Sequence, residues 1–338
     1  MSKKIITIKD IAKELDISVA TVSRALRGSS EIKKETKLAV LRMAKEMDYH
    51  PNLLASSLSS KRSKIIGVVV PTINRQFWSN SISGIEKVAY QHDYKVMIFQ
   101  SAESFKKEME IVETLANSRV DGILIALSKE TDRYEHLQQV IDRGIPILLF
   151  ERVCSDLDAS KVVTDDFNGA KELVQHLIDR GRKSIAYISG PFSLGVCQDR
   201  FDGYKTALKG NGLELDEDLL IELEDFSYEA AEDAVALLWK KERKPDAIFC
   251  FADILAIGAL SGAKKLGISM PDQLAIAGFG NDDIGRYVSP AITTMNQPSH
   301  DMGEMAAEML LEQIASEEAE FRVTTKIIKP ELVVREST

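Results

Sequence analysis

Cysteine is scarce in this 338-residue chain. Cys154, Cys197 and Cys250 stand far apart with no Cys-x-x-Cys pair, which leaves no disulfide framework or thiolate zinc site and marks them as small buried hydrophobes. The five histidines (His50, His92, His136, His176, His300) are scattered. No His-Glu-x-x-His, Gly-x-Ser-x-Gly or Gly-x-x-x-x-Gly-Lys string occurs, so nothing points to an enzyme, a metal or a cofactor. Gly278-Phe-Gly-Asn-Asp-Asp283 opens like a dinucleotide fingerprint but lacks the third glycine. No run of eighteen apolar residues exists, and Met1-Ser-Lys-Lys-Ile-Ile-Thr7 has no apolar export segment, so the expected location is the cytoplasm, with no membrane partner.

What is present is unevenly distributed. The length calls for two or three compact units. The net charge of -9 hides a split: residues 1 to 61 hold twelve Lys/Arg against seven Asp/Glu, while the rest holds 31 against 45. A basic head on an acidic body is the asymmetry of a nucleic-acid arm on a non-binding core.

In the head, Thr7-Ile-Lys-Asp10 reads as a helix cap, after which Ile8, Ile11, Ala12 and Leu15 recur on one face. Asp16-Ile17 makes a tight connection, and Ser18 caps a second helix running to Gly28, with Val22 and Leu26 turned to the first. Two short helices joined this tightly form a helix-turn-helix, whose second helix enters the major groove. A third helix is expected near Lys34 to Met47, with Leu38, Leu41, Ala44 and Met47 packed beneath the pair.

The string Thr7-Ile-Lys-Asp-Ile-Ala-Lys-Glu-Leu-Asp-Ile-Ser-Val-Ala-Thr-Val-Ser-Arg-Ala-Leu-Arg-Gly28 resembles the LacI/GalR headpiece almost position for position, and Tyr49-His-Pro-Asn-Leu-Leu-Ala-Ser-Ser-Leu58 resembles the family's hinge helix. The resemblance implies a helix-turn-helix domain over 1–49, a hinge over 50–62 and an effector-binding core over 63–338. It implies DNA contacts by Thr7, Ser18, Val19, Ala20, Thr21, Ser23, Arg24, Asn52, Ala55 and Leu58. Val19 and Ala20 stand where the family selects operator bases, and both suit thymine methyls, while Arg24 suits a guanine edge and Ser18, Thr21 and Ser23 suit phosphates. Leu58 would wedge into a minor-groove step, with Ala55 letting two hinges meet. Two departures stand out: Leu53 and Ser56 replace arginines common in the hinge, and Lys33 replaces the usual capping Ser or Thr of the third helix.

After Lys64 the pattern changes to short apolar runs alternating with amphipathic stretches. Strands are expected at Ile65 to Val70, Val96 to Phe99, Gly122 to Ala126 and Ile147 to Phe150, then at Val162-Val163, Ser184 to Ile188, Ala247 to Cys250 and Leu274 to Ala277, with helices between them. This predicts two doubly wound parallel-sheet subdomains in tandem. The resemblance identifies them as a periplasmic-binding-protein-like core crossed near 158–162, 288–293 and 319–323. The first subdomain would span about 63–160 and 292–320, the second about 161–290 and 321–335. It also implies a homodimer on a pseudo-palindromic duplex, acting as a repressor under allosteric control by a sugar-like effector.

Effector residues in such units lie at strand C-terminal ends. The candidates there are Asn74, Arg75, Phe77, Trp78, Glu151, Arg152, Arg200, Phe226, Asp253 and Asn281. Arg200 and Asp253 are expected, by resemblance, to pair on sugar oxygens. The family's Asn-Pro and Asp-Asp pairs are here Arg75-Gln76 and Gly280-Asn281, which predicts a more positive cleft and an acidic or phosphorylated sugar. A transporter's solute-binding protein, against which the basic head counts, and a sugar-modifying enzyme with an accessory helical domain, which turnover assays on a sugar panel would test, are the competing classes.

Overall fold

The computed structural model describes residues 6–26, 28–49, 62–316 and 322–338. The chain divides into two units, Met1–Ser63 and Lys64–Thr338. The hinge candidates Asn52, Ala55 and Leu58 lie outside the described residues.

The head is three helices, α1 (Ile8–Glu14), α2 (Val19–Leu26) and α3 (Lys34–Glu46). Asp10 accepts the Thr7 N–H at 2.9 Å at the start of α1. Asp16, at φ 51°, turns the chain toward α2. The Ser29 N–H bonds the Arg24 carbonyl and the Gly28 N–H that of Ala25, a paired closure that ends α2 with Gly28 at φ +73°. The core is Ile11, Ala12, Val22, Ala25, Val40 and Ala44. Leu38 and Leu41, expected inside, are 57 % and 51 % exposed. At 100° per residue, Val40, Met43, Ala44 and Met47 share one stripe, and Leu38 and Leu41 fall on its far side.

The larger unit holds two six-stranded sheets. The first uses β1 (Ile65–Val70), β2 (Lys95–Gln100), β3 (Gly122–Ile125), β4 (Ile147–Phe150), β5 (Ser160–Thr164) and β11 (Thr325–Ile328), in the order β11-β5-β4-β3-β1-β2. The second uses β6 (Ile185–Ser189), β7 (Leu220–Glu222), β8 (Ala247–Cys250), β9 (Ala275–Gly280), β10 (Thr293–Asn296) and β12 (Glu331–Val333), in the order β12-β10-β9-β8-β6-β7. All pairings are parallel except β10 with β12. Strands β1, β3, β4, β6, β8 and β9 are buried almost throughout, which is why they read as unbroken apolar runs. Each sheet reverses direction of growth at one point, β1/β3 and β6/β8, and such points open a crevice at the strand C-terminal ends.

Helices α4 (Gln76–Gln91), α5 (Phe105–Asn117), α6 (Glu135–Asp142) and α11 (Ser299–Ala315) belong with the first sheet. Those of the second are α7 (Asp166–Asp179), α8 (Gly195–Gly210), α9 (Tyr228–Leu238) and α10 (Asp253–Lys265). Helix α11 packs on α4 so closely that a Cβ on Gly303 would stand 2.0 Å from the Ser81 carbonyl oxygen, and one on Gly84 2.1 Å from that of His300. Only glycine permits that approach.

The chain passes between the sheets later than expected. Strand β5 belongs to the first sheet and leads at once into α7, β10 belongs to the second, and β11 returns to the first. The passages therefore fall at 165, 297–298 and 329–330 rather than near 158–162, 288–293 and 319–323. Residues 160–162 and 293, within the expected crossings, are paired inside the sheets.

Candidate functional site

The head presents its second helix by one face. Ser18 Oγ accepts the Thr21 N–H at 3.1 Å and lies 2.8 Å from Thr21 Oγ1, so one hydroxyl pair fixes the first turn of α2. Val19, Ala20 and Arg24 are exposed, Thr21 and Ser23 half-buried, and Val22 and Ala25 form the inner side. Arg24 reaches Glu31 at 3.1 Å across an open surface, a contact easily exchanged for another acceptor. The Thr7 hydroxyl donates to Asp10 at 2.7 Å, which commits its proton within the start of α1. Lys33 makes no capping bond at the start of α3.

The second candidate is a cavity of about 470 Å³ at the strand C-terminal ends of both sheets. Eight of the ten expected residues line it: Asn74, Arg75, Phe77 and Trp78 after β1, Glu151 and Arg152 after β4, Arg200 on α8, and Phe226 after β7. Phe226 lies 5.2 Å from the Phe251 ring and so close to Gly190 that a Cβ there would meet its ring at 2.3 Å. Trp78 packs edge-on against Phe150 at 6.0 Å and carries the Arg152 guanidinium 5.6 Å from its ring.

Two expected residues are not part of the wall. Asp253, 1 % exposed, accepts the Thr294 hydroxyl at 2.6 Å and the Asp282 N–H at 2.7 Å, and burial pushes its carboxyl up to about 7. Asn281 bonds Asn296 at 3.0 Å and receives the Arg335 guanidinium. Both shape the 280–283 turn from behind, and it is Asp282 that reaches the cavity. Burial also raises the Asp282 carboxyl, against the pull of Arg75.

The ion-pair partner of Arg200 is Asp166. Arg200 Nε donates to Asp166 Oδ1 at 2.7 Å, Nη1 to the Phe251 carbonyl at 2.6 Å, and Nη2 stands 3.6 Å from Glu151 Oε1. The guanidinium lies within 4.3 Å of the Phe251 ring and 3.8 Å of the Phe279 ring. Burial works against its charge, yet Asp166 and Glu151 outweigh that and hold Arg200 above the ordinary arginine value. Gln297, on the second passage between sheets, donates to Glu151 at 3.1 Å. Glu151 from the first subdomain and Asp166 from the second thus share one buried cation beside the passages.

The expected positive surplus is absent. Arg75, Lys129, Arg152 and Arg200 face Glu103, Glu151, Glu224, Asp225 and Asp282. Arg152 places Nη1 2.9 and 2.7 Å from the two Glu103 oxygens, and Lys129 Nζ is 3.3 Å from Asp225. Sequence reading missed Glu103, Lys129, Glu224, Asp225 and Phe251, although each sits a few residues past an apolar run. Further contacts cross the cleft: Arg75 to the Phe226 carbonyl, Lys129 to the Glu224 carbonyl at 3.0 Å, and the Asp283 N–H to Gln76 at 2.9 Å. Among the described residues no helix is long and apolar enough to cross a membrane, and Cys154, Cys197 and Cys250 are all buried.

Known proteins bear on both sites. Residues 7–52 match the lacI family of bacterial regulatory proteins, and residues 174–338 match a periplasmic binding protein-like domain. The chain is 32 % identical to the HTH-type transcriptional repressor PurR of Vibrio campbellii over 97 % of each chain. It is also 32 % identical to catabolite control protein A of Priestia megaterium, over 95 % of this chain and 99 % of that one. A solved complex of the transcriptional regulator CelR with cellobiose superposes with a TM-score of 0.74 at 26 % identity, covering 98 % of this chain and all of the other. A three-helix head with an exposed polar face, a core with a cleft between two sheets, and relatives that are regulators rather than enzymes lead to one statement: this chain belongs to the LacI family of DNA-binding transcriptional repressors.

Proposed function

We propose that the cleft binds a neutral, sugar-like effector that sets the affinity of the head for a pseudo-palindromic operator. The observation that carries this reading is the charge balance of the cavity. Each cation on its wall has a carboxylate or carbonyl partner, while Phe77, Trp78, Phe226, Phe251 and Phe279 offer apolar faces. Hydroxyls exchange well with such paired groups, and the faces of a sugar ring pack on aromatics. An added carboxylate or phosphate would have to displace Glu103, Asp225 or Asp166 from its cation, or the Phe226 carbonyl from Arg75. The reading therefore departs from an acidic or phosphorylated sugar.

The effector acts by changing how the two subdomains meet, which changes the readiness of the head to bind duplex in a cytoplasmic homodimer. Exposed Tyr90 and, on the edge strand β2, Met97 and Ile98 support a second copy docking on the first subdomain. Typical coupling between such sites is about 1–3 kcal/mol. Val19, Ala20 and Arg24 read bases, with Ser18, Thr21 and Ser23 on phosphate; Asn52, Ala55 and Leu58 extend the contact into the minor groove. Calorimetry with cellobiose, ribose, glucuronate and glucose 6-phosphate tests the cleft. Heat from a neutral sugar and none from the acids supports the reading, and tighter binding of either acid overturns it.

A further inference from the structure

Behind the cavity, out of its reach, lies a carboxylate with no role in the reading above. Glu108, in the first turn of α5, is fully buried. Its Oε2 accepts the Ser128 N–H at 2.7 Å, and its Oε1 accepts the Thr131 hydroxyl at 2.9 Å and lies 3.1 Å from His136 Nε2. Ser128 and Thr131 belong to the connection between β3 and α6, and His136 to the first turn of α6 itself. A turn closes within it, the Thr131 N–H bonding the Ser128 carbonyl at 3.1 Å. Lys129 sits inside that turn and is the residue that crosses the cleft to the Glu224 carbonyl and Asp225.

We infer that Glu108 is a positioning residue for cleft closure: by fixing Ser128 and Thr131 it aims Lys129 at the 224–225 segment of the other subdomain. A lysine on a free loop would lose rotamer and backbone freedom each time it bridged the cleft; a turn already anchored on both sides of it has lost most of that freedom beforehand. The bridged segment is continuous with Phe226, whose carbonyl Arg75 holds, so Lys129 and Arg75 together seat that ring over the cavity. Glu108 thereby regulates access to the effector site without touching it. This inference rests on the cleft being the sensing site, but the strap is measurable without any ligand.

The test uses the full chain with spin labels at Lys107→Cys on α5 and Glu229→Cys on α9, both exposed, the three native cysteines being buried. Distances are read by pulsed electron paramagnetic resonance. Lys129→Met should shift the distribution to longer distance, and Glu108→Gln should shift it by the same amount. The double variant should shift no further, because both changes break one strap. Thr131→Val, which removes a single donor, should move it the same way by less. High salt should lengthen the distance in the unaltered chain and not in Lys129→Met, since the Lys129–Asp225 pair is open to solvent. Distances unchanged in both Glu108→Gln and Thr131→Val, or a double variant in which the shifts add, would overturn the inference. Failure of every sugar to bind, with these distances behaving as stated, would count against the sensing role and leave the strap standing.

Discussion

The head and the core treat polar side chains in opposite ways. On α2 the groups that matter are exposed and loosely held: Arg24 leans on Glu31 across solvent, with 53 % and 69 % of the two side chains exposed. At the centre of the core's cleft the charged groups are buried and already paired, as Arg200 is with Asp166 at 2 % and 3 % exposure. The head can exchange its partners for duplex at little cost, because an exposed pair is worth under about 1 kcal/mol. The core must keep its own, because a charge stripped of its partner inside a protein is expensive. The head is thus built to let go of internal contacts on binding, and the core to register small rearrangements of fixed ones.

The sharpest way to break that contrast is to remove a partner in the core. Arg200→Met leaves Asp166 and Glu151 without their cation, and denaturant unfolding should show the core destabilised by about 3–5 kcal/mol. A loss below 1 kcal/mol would mean that the buried pairs are as dispensable as those on the head. Gly303→Ala comes next. Its methyl would meet the Ser81 carbonyl and force α11 off α4, at about 1–3 kcal/mol in the same assay.

A third prediction concerns pH. Asp253 keeps its proton up to about 7 in the folded core, whereas in the unfolded chain it releases it near the ordinary aspartate value of about 4. The folded state therefore holds the extra proton between those values, and Asp253 lowers stability as pH rises through that window, by at most about 1.4 kcal/mol per pH unit. Asp253→Asn should flatten the fall measured between pH 5 and 7. A slope unchanged by the substitution would place the ionised form in the fold. In the head the expected effects are smallest. Ser18→Ala should cost about 1 kcal/mol by removing the cap of α2, read in its thermal transition. Glu31→Ala should cost almost nothing in stability and free Arg24 for DNA.

The same contrast explains what the sequence disclosed. The head's second helix is one contiguous string, so Ser18, Val19 and Arg24 could be assigned their exposed face by period alone. Leu38 and Leu41 misled because apolar residues filled both sides of α3, and only packing decides which side is inner. In the core, β1, β3 and β4 were legible as apolar runs, and residues just past them, such as Trp78 and Arg152, followed. Glu103, Lys129 and Asp225 did not, because a loop residue acquires its role from whatever another loop brings opposite it. Asp166 was hidden for a related reason. An acid at a helix start reads as a favourable end charge, and only the fold shows that it faces Arg200. The sheet passages were displaced because β5, β10 and β11 are too short to show a period of their own.

The central claim is that the head of the intact chain grips duplex DNA by charge and reads it through α2. Mobility shift of the chain on a palindromic AT-rich duplex, repeated across a salt series with and without Arg24→Ala, tests both parts together. Affinity should fall steeply and linearly on logarithmic axes as salt rises, at about 0.9 in slope per phosphate contacted, and Arg24→Ala should weaken binding to the preferred duplex more than to an unrelated one. An affinity that ignores salt, or a substitution that weakens all duplexes equally, would contradict it.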